Sequence, residues 1–222
     1  MRNKVIFTLC CFLFLSSGVK TSFAQETEQY TLFDDKSLLE GYAKKNEQKS
    51  KEILLAMIKD DSLSPYECAA AVRVLKNTFS QEIFGAEKKS VEKTLIYRLN
   101  HTDSSFVQVE IMHTLCLMDR YQYFNSMVPL LIQSLDHYNK VVNEIAYNSL
   151  DHLIKTGHSR PREARIVFNT LRKIFFLSRK KLKDLKEPGT KLKQKLELLR
   201  WSVKILGNQE LRKLPPEIIN FL

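Results

Sequence analysis

Leu95-Ile96-x-x-Leu99, then His101-Thr102-Asp103, then Val107, Ile111, Leu115 and Met118: this pattern, within residues 91–157, decides the fold because the chain runs it twice. The second pass reads Leu130-Leu131-x-x-x-Leu135, Asp136-His137, then Val142, Ala146, Leu150 and Leu153. Val107 to Val142, Ile111 to Ala146 and Leu115 to Leu150 are each 35 positions apart. Apolar residues three and four apart mark helices, and the polar residues between them mark a tight turn. A helix, a turn and a second helix recurring at that period predict a short right-handed α-solenoid, each pair burying its stripe against the next.

The same pattern extends to both sides. Ser64-Pro65-Tyr66-Glu67 supplies a cap residue and a proline at the first helical position, and Cys68, Ala71, Val72, Leu75 and Phe79 follow at helical spacing. Ala71 to Ile111 and Leu75 to Leu115 are both 40, an earlier copy. Before it, Ser37 and Glu40 have capping-box spacing, and the polar run 44–51 leaves one long helix or two short ones open. Ser80 to Lys89 reads as a loop around Gly85. Ser104, Asn125 and Asn139 are the expected caps of the central copies. Pro129 is placed in or just past a first turn, and Gly157 at a helix end.

Beyond it, Ser159-Arg160-Pro161 starts a helix expected to reach about Lys186. Pro188-Gly189 breaks the chain, and Thr190 caps a last long helix carrying Leu192, Leu196, Leu199, Val203 and Leu206, ended by Gly207. The period has stretched, since Ala146 to Leu196 is 50. After Pro215-Pro216, the apolar end Ile218-Ile219-x-Phe221-Leu222 is expected to fold back over the last pair. The reading is all-α, with eight main helices in four antiparallel pairs.

Four helix–turn–helix units with matched apolar sites and acidic inner turns (Asp60, Asp61, Asp103, Asp136) resemble HEAT repeats over most of residues 36–207; an armadillo-type pairing is open beside them. HEAT units carry a basic residue partway along the second helix, where this chain has Arg73, His113 and Asn148. The resemblance implies a scaffold that presents a surface to another macromolecule, and no chemistry.

The first residues have a different character. Met1-Arg2-Asn3-Lys4 is a positive start, Val5 to Leu15 is almost wholly apolar, and Ser22-Phe23-Ala24 puts small residues before a cleavage site at Gln25. These are the parts of a secretory signal peptide. Val5 to Val19 gives 15 residues, fewer than the ~20 of a spanning helix. Cys10 and Cys11 lie within the apolar run and not at its end, which argues against a lipidated cysteine. The plan is a signal peptide at 1–24, a flexible lead-in at 25–35, a helical-repeat domain at 36–207 and a capping tail at 208–222. Export would be to the periplasm of a Gram-negative bacterium, or otherwise to the outside of the cell.

The chain has 35 Lys+Arg against 25 Asp+Glu, a formal charge of +10, which becomes +7 without Arg2, Lys4 and Lys20. Residues 25–154 hold 14 basic and 19 acidic side chains, whereas residues 155–222 hold 18 and 6. So uneven a distribution points to an anionic partner for the C-terminal part. Only Cys68 and Cys116 follow the leader. Their stagger of eight residues in the repeat register, ~12 Å along a helix, exceeds the ~7 Å that a disulfide spans. Two buried free thiols are expected.

Arg165, Arg172, Arg179 and Lys186 recur every seven residues, which turns a helix by only ~20°. With Lys180 and Lys183 they form a basic ridge, the candidate site for an anionic partner. Lipid or lipopolysaccharide phosphates fit it, nucleic acid less so for an exported chain, and a solvated face is the competing reading. Phe168 and Phe175 share a side beside the core; Phe176 accompanies them. Trp201 lies off the apolar line of its helix and is a candidate partner hot spot. His101 and His137 occupy matching turns near Asp103 and Asp136, but zinc needs three or four convergent ligands. No HExxH, CxxC, GxSxG or glycine-rich phosphate loop occurs. No catalytic, cofactor or metal residue is expected. The function expected is a non-catalytic exported scaffold for a protein partner, with binding of an anionic envelope surface as the alternative. The sequence leaves the oligomeric state open.

Overall fold

The computed structural model describes residues 34–85, 87–156 and 160–222. The leader and nearly all of the lead-in lie outside the described residues, as do Gly157 and Ser159. The described residues are all-α, without a strand. Their helices are α1 (Asp35–Asn46), α2 (Lys51–Lys59), α3 (Pro65–Thr78), α4 (Ser80–Phe84), α5 (Lys88–Asn100), α6 (Ser105–Met118), α7 (Arg120–Ser134), α8 (Lys140–Thr156), α9 (Pro161–Leu182) and α10 (Thr190–Leu206). A 3₁₀ segment (Asn208–Lys213) and a last turn, α11 (Pro216–Ile219), complete the chain.

Local chemistry sets most of these ends. Ser64 Oγ accepts from the Glu67 amide while the Glu67 carboxylate accepts from the Ser64 amide, so α3 opens with a capping box. Asn139 Oδ1 takes the amides of Val141 and Val142 and starts α8. Polar residues 47–50 split the first helix in two. Pro188 keeps the residue before it out of the helical region, and α9 stops at Leu182, one turn short of Lys186.

Other expectations need correction. Helix α7 begins at Arg120 because Asp119 caps it, accepting from the Gln122 amide at 3.0 Å. Asn125 therefore lies inside the helix. So does Pro129, whose missing N–H leaves the Asn125 carbonyl without its usual helical donor. Ser104 precedes α6 but makes no side-chain cap. Gly189, not Thr190, holds the N-cap position of α10. Part of the expected loop after Phe79 is the short helix α4.

Packing follows the apolar stripes. Helix α3 lies against α1, α2 and α6; α6 against α5, α7 and α8; α7 against α8 and α9; α9 against α10 and α11. Leu75, Leu95, Ile111, Leu115, Leu131, Ala146, Leu153, Phe168 and Leu199 are fully buried along this series. Each large one is worth ~1.5–3 kcal/mol relative to exposure, so the stripes hold the helices together. Cys68 and Cys116 are free and buried; burial raises both thiols, Cys116 to about 12. At the end of the chain Ile218 is buried, and Arg200 donates to the carbonyls of Phe221 and Leu222.

Candidate functional site

Among the described residues helix α9 is the longest, at 22 residues, and its faces differ sharply. The inner face carries Ala164, Val167, Phe168, Leu171 and Phe175, all buried against α7 and α10. The outer face carries Lys173, Phe176, Leu177, Lys180 and Lys181, which are all exposed. Their spacing of three, four, seven and eight is that of a single helical stripe. Phe176 is 46% and Leu177 79% exposed, so the middle of the stripe is apolar and both ends are cationic. Asp184, beyond the helix end, is also exposed.

The sequence-predicted ridge lies on the flank of this stripe. Arg165 is occupied within the protein: it donates to Glu210 at 2.6 Å and lies over the Phe168 ring. Together with Lys213 it holds the Glu210 carboxyl below its ordinary range. Arg172 is half-buried, while Arg179 and Lys180 are exposed. Lys183 and Lys186 are exposed beyond the helix end. Among the described residues, Arg172, Lys173, Arg179, Lys180, Lys181, Lys183 and Lys186 have no carboxylate within ion-pair distance. Three of them, Arg179 to Lys181, sit in the last turn, where cations favour the negative end of the helix dipole. That accounts for neither Lys173 nor two large apolar side chains in water.

Trp201 is partly buried and packs against the core. Three of the four turn acids have structural partners: Asp60 accepts from Ser62, Asp61 pairs with Arg98, and Asp136 with Lys195. Histidine His101 is bonded to the Tyr97 carbonyl at 2.7 Å. Sequence reasoning missed Lys173 and Leu177, although the three-four spacing was there to read.

Inside the protein a second charged group joins three helices. Glu110 of α6 is 1% exposed and takes Arg73 Nη2 at 2.6 Å and Lys76 Nζ at 3.1 Å, both from α3. Burial pushes its carboxyl up, but Lys76 and Arg73 outweigh that and hold it below the usual range. Lys76 Nζ also reaches His113 Nδ1 at 3.1 Å, and His113 Nε2 lies 3.0 Å from His152 Nδ1 of α8. A lysine ammonium has donors only. His113 must therefore accept at Nδ1 and donate from Nε2 to His152. This fixes a tautomer; it exposes no reactive atom.

Among the described residues no three His, Cys, Asp or Glu side chains are placed to hold a metal ion, and no helix is long and apolar enough to cross a membrane. Compared with protein-family models, curated proteins and solved structures, the chain matches none.

Proposed function

We propose that this protein is a non-catalytic, exported interaction scaffold that docks on an anionic envelope surface through the outer face of α9. Export is the function expected of the N-terminal leader. The helical pairs would stack as a short HEAT-like solenoid, a reading supported by the α3–α6–α8 contacts and the matched apolar sites.

One observation carries the proposal: Phe176 and Leu177 stand in water between Lys173 on one side and Lys180 and Lys181 on the other. An interfacial helix uses this arrangement, apolar side chains entering the acyl boundary while cations meet phosphates. Each lysine or arginine near an anionic leaflet contributes about 1 kcal/mol. Two apolar side chains alone would bind weakly and without charge preference. Combined, they predict reversible, salt-sensitive binding.

Co-sedimentation with vesicles tests this, comparing phosphatidylglycerol–phosphatidylcholine mixtures with phosphatidylcholine alone at low and high salt. Binding to the anionic vesicles only, lost in high salt and in a Lys173→Glu, Lys180→Glu, Lys181→Glu variant, is the expected result. A protein that stays in the supernatant under every condition overturns the lipid reading. The stripe spacing also fits an acidic groove on a protein partner, and the search would turn there.

A further inference from the structure

A second surface stands apart from α9 in its chemistry. The turns that lead into α6 and α8 and the first turn of α3 enclose a cleft of about 300 Å³. That is at the small end for ligand pockets. Tyr66 and Phe106 form one wall, ring centroids 5.1 Å apart and tilted by 47°. Tyr138 also lines the cleft, 88% exposed, its ring centroid 4.4 Å from that of His137. Tyr66 is held in place because its hydroxyl donates to Asp35 at 2.7 Å.

The polar groups of the cleft are of both kinds. Asp103 is exposed and, among the described residues, has neither a hydrogen-bond nor an ion-pair partner, so its carboxylate offers free acceptors. His137 Nδ1 accepts from the Asn139 amide at 3.1 Å, which leaves the proton of the neutral ring on Nε2 as a donor. Ser104 and Ser105 line the cleft with hydroxyls that make no bond to the described residues. The first amides of α6 have no side-chain cap.

This set of groups selects among ligand classes. An anion would face Asp103. A bare ammonium ion suits the aromatic rings but leaves His137 Nε2–H and the α6 amides unanswered, and it meets the positive dipole ends of three helices. A purely apolar ligand would strip water from every one of these groups. A neutral sugar satisfies them all: each hydroxyl both donates and accepts, and the C–H face of a pyranose stacks on an aromatic ring. We propose that the cleft between Tyr66, Phe106 and Tyr138 binds one or two rings of a neutral saccharide, with Asp103 accepting from its hydroxyls.

Saturation-transfer NMR and calorimetry on the whole protein test this with maltotriose, cellotriose and chitotriose as probes and choline as the cation control. Saturable binding of at least one trisaccharide, insensitive to salt, is expected. Tyr138→Ala and Asp103→Ala should each weaken it about tenfold or more. Both side chains are exposed, so the variants keep the fold, which a thermal melt verifies. The proposal fails if no trisaccharide saturates by about 10 mM, if neither variant changes binding, or if choline binds and the sugars do not. The α9 charge-reversal variant should bind sugar as the wild type does, which separates this site from the lipid-docking face.

Discussion

His113 Nε2 lies 3.0 Å from His152 Nδ1, and with Lys76 on its far side the His113 ring can stay neutral but cannot gain a proton without losing a partner. Burial pushes its pKa from 6.5 down to about 2, and Lys76, His152 and Arg73 push in the same direction. Asp151 of α8 and Arg120 of α7 act on the His152 end, and Glu110 balances the two α3 cations.

This pair makes the protein sensitive to acid. The folded value of His113 lies below the unfolded one of 6.5, so its contribution is complete above pH 6.5 and is lost as pH falls below it. Between pH 6.5 and 5 the loss is about 2 kcal/mol, because the unfolded chain takes up the proton first. Urea midpoints at pH 7.5, 6 and 5 check this. His113→Gln should be less stable at pH 7.5 yet lose less on acidification; equal pH slopes would refute the assignment.

Glu110 holds two cations that are themselves largely out of water, Arg73 at 23% and Lys76 at 12% side-chain exposure. Glu110→Gln keeps the shape and removes the charge, leaving both uncompensated. A loss of about 3 kcal/mol in a denaturant titration is expected. Adding Arg73→Met and Lys76→Met should recover most of it, since the penalty comes from unpaired charge. A triple variant as unstable as the single one would show that packing, and not charge, was lost.

The limits of the sequence follow the same physics. The apolar positions of α3, α6, α8 and α10 were legible because each stripe repeats every three or four residues within its own helix. The caps at Ser64 and Asn139 were legible because their partners are two or three residues away. The start of α7 was not: a register of 35 placed the cap near Asn125, while the true cap, Asp119, is six residues earlier and also pairs with Lys88 of α5. The histidine pair joins residues 39 apart on different helices, and only the relative slide of α6 and α8 brings them together. On α9 the seven-residue arginine period drew the eye to Arg172 and Arg179. The solvent stripe is carried by Lys173 and Lys180, one residue on, about 100° around the helix.

Two residues nine apart on α9 should behave in opposite ways. Phe168 is fully buried, and Phe168→Ala should cost ~3–5 kcal/mol through lost burial and the cavity left behind. Leu177 is 79% exposed, and Leu177→Ala should change stability by less than about 0.5 kcal/mol. The same Leu177→Ala protein should partition less into anionic vesicles. A stability loss at Leu177 matching that at Phe168 would mean the outer face is packed in solution, and the docking surface would have to lie elsewhere.

Gly207 turns the chain out of α10 at φ 99° and ψ 154°, a region open almost only to glycine. Its amide still donates to the Val203 carbonyl at 2.8 Å, so the helix is closed as the backbone reverses. That reversal places Glu210 against Arg165 and carries Ile218 into its buried position beside α9. A Cβ at Gly207 would also meet the Gln209 side chain, whose free end can move aside, so the backbone term decides. Gly207→Ala should cost about 1–3 kcal/mol and speed proteolysis after residue 207 before the rest unfolds. Gly189→Ala is the control, because nothing lies within 4 Å of its Cβ position and its φ is −69°. Equal effects at the two glycines would mean that the turn at Gly207 does not hold the tail in place.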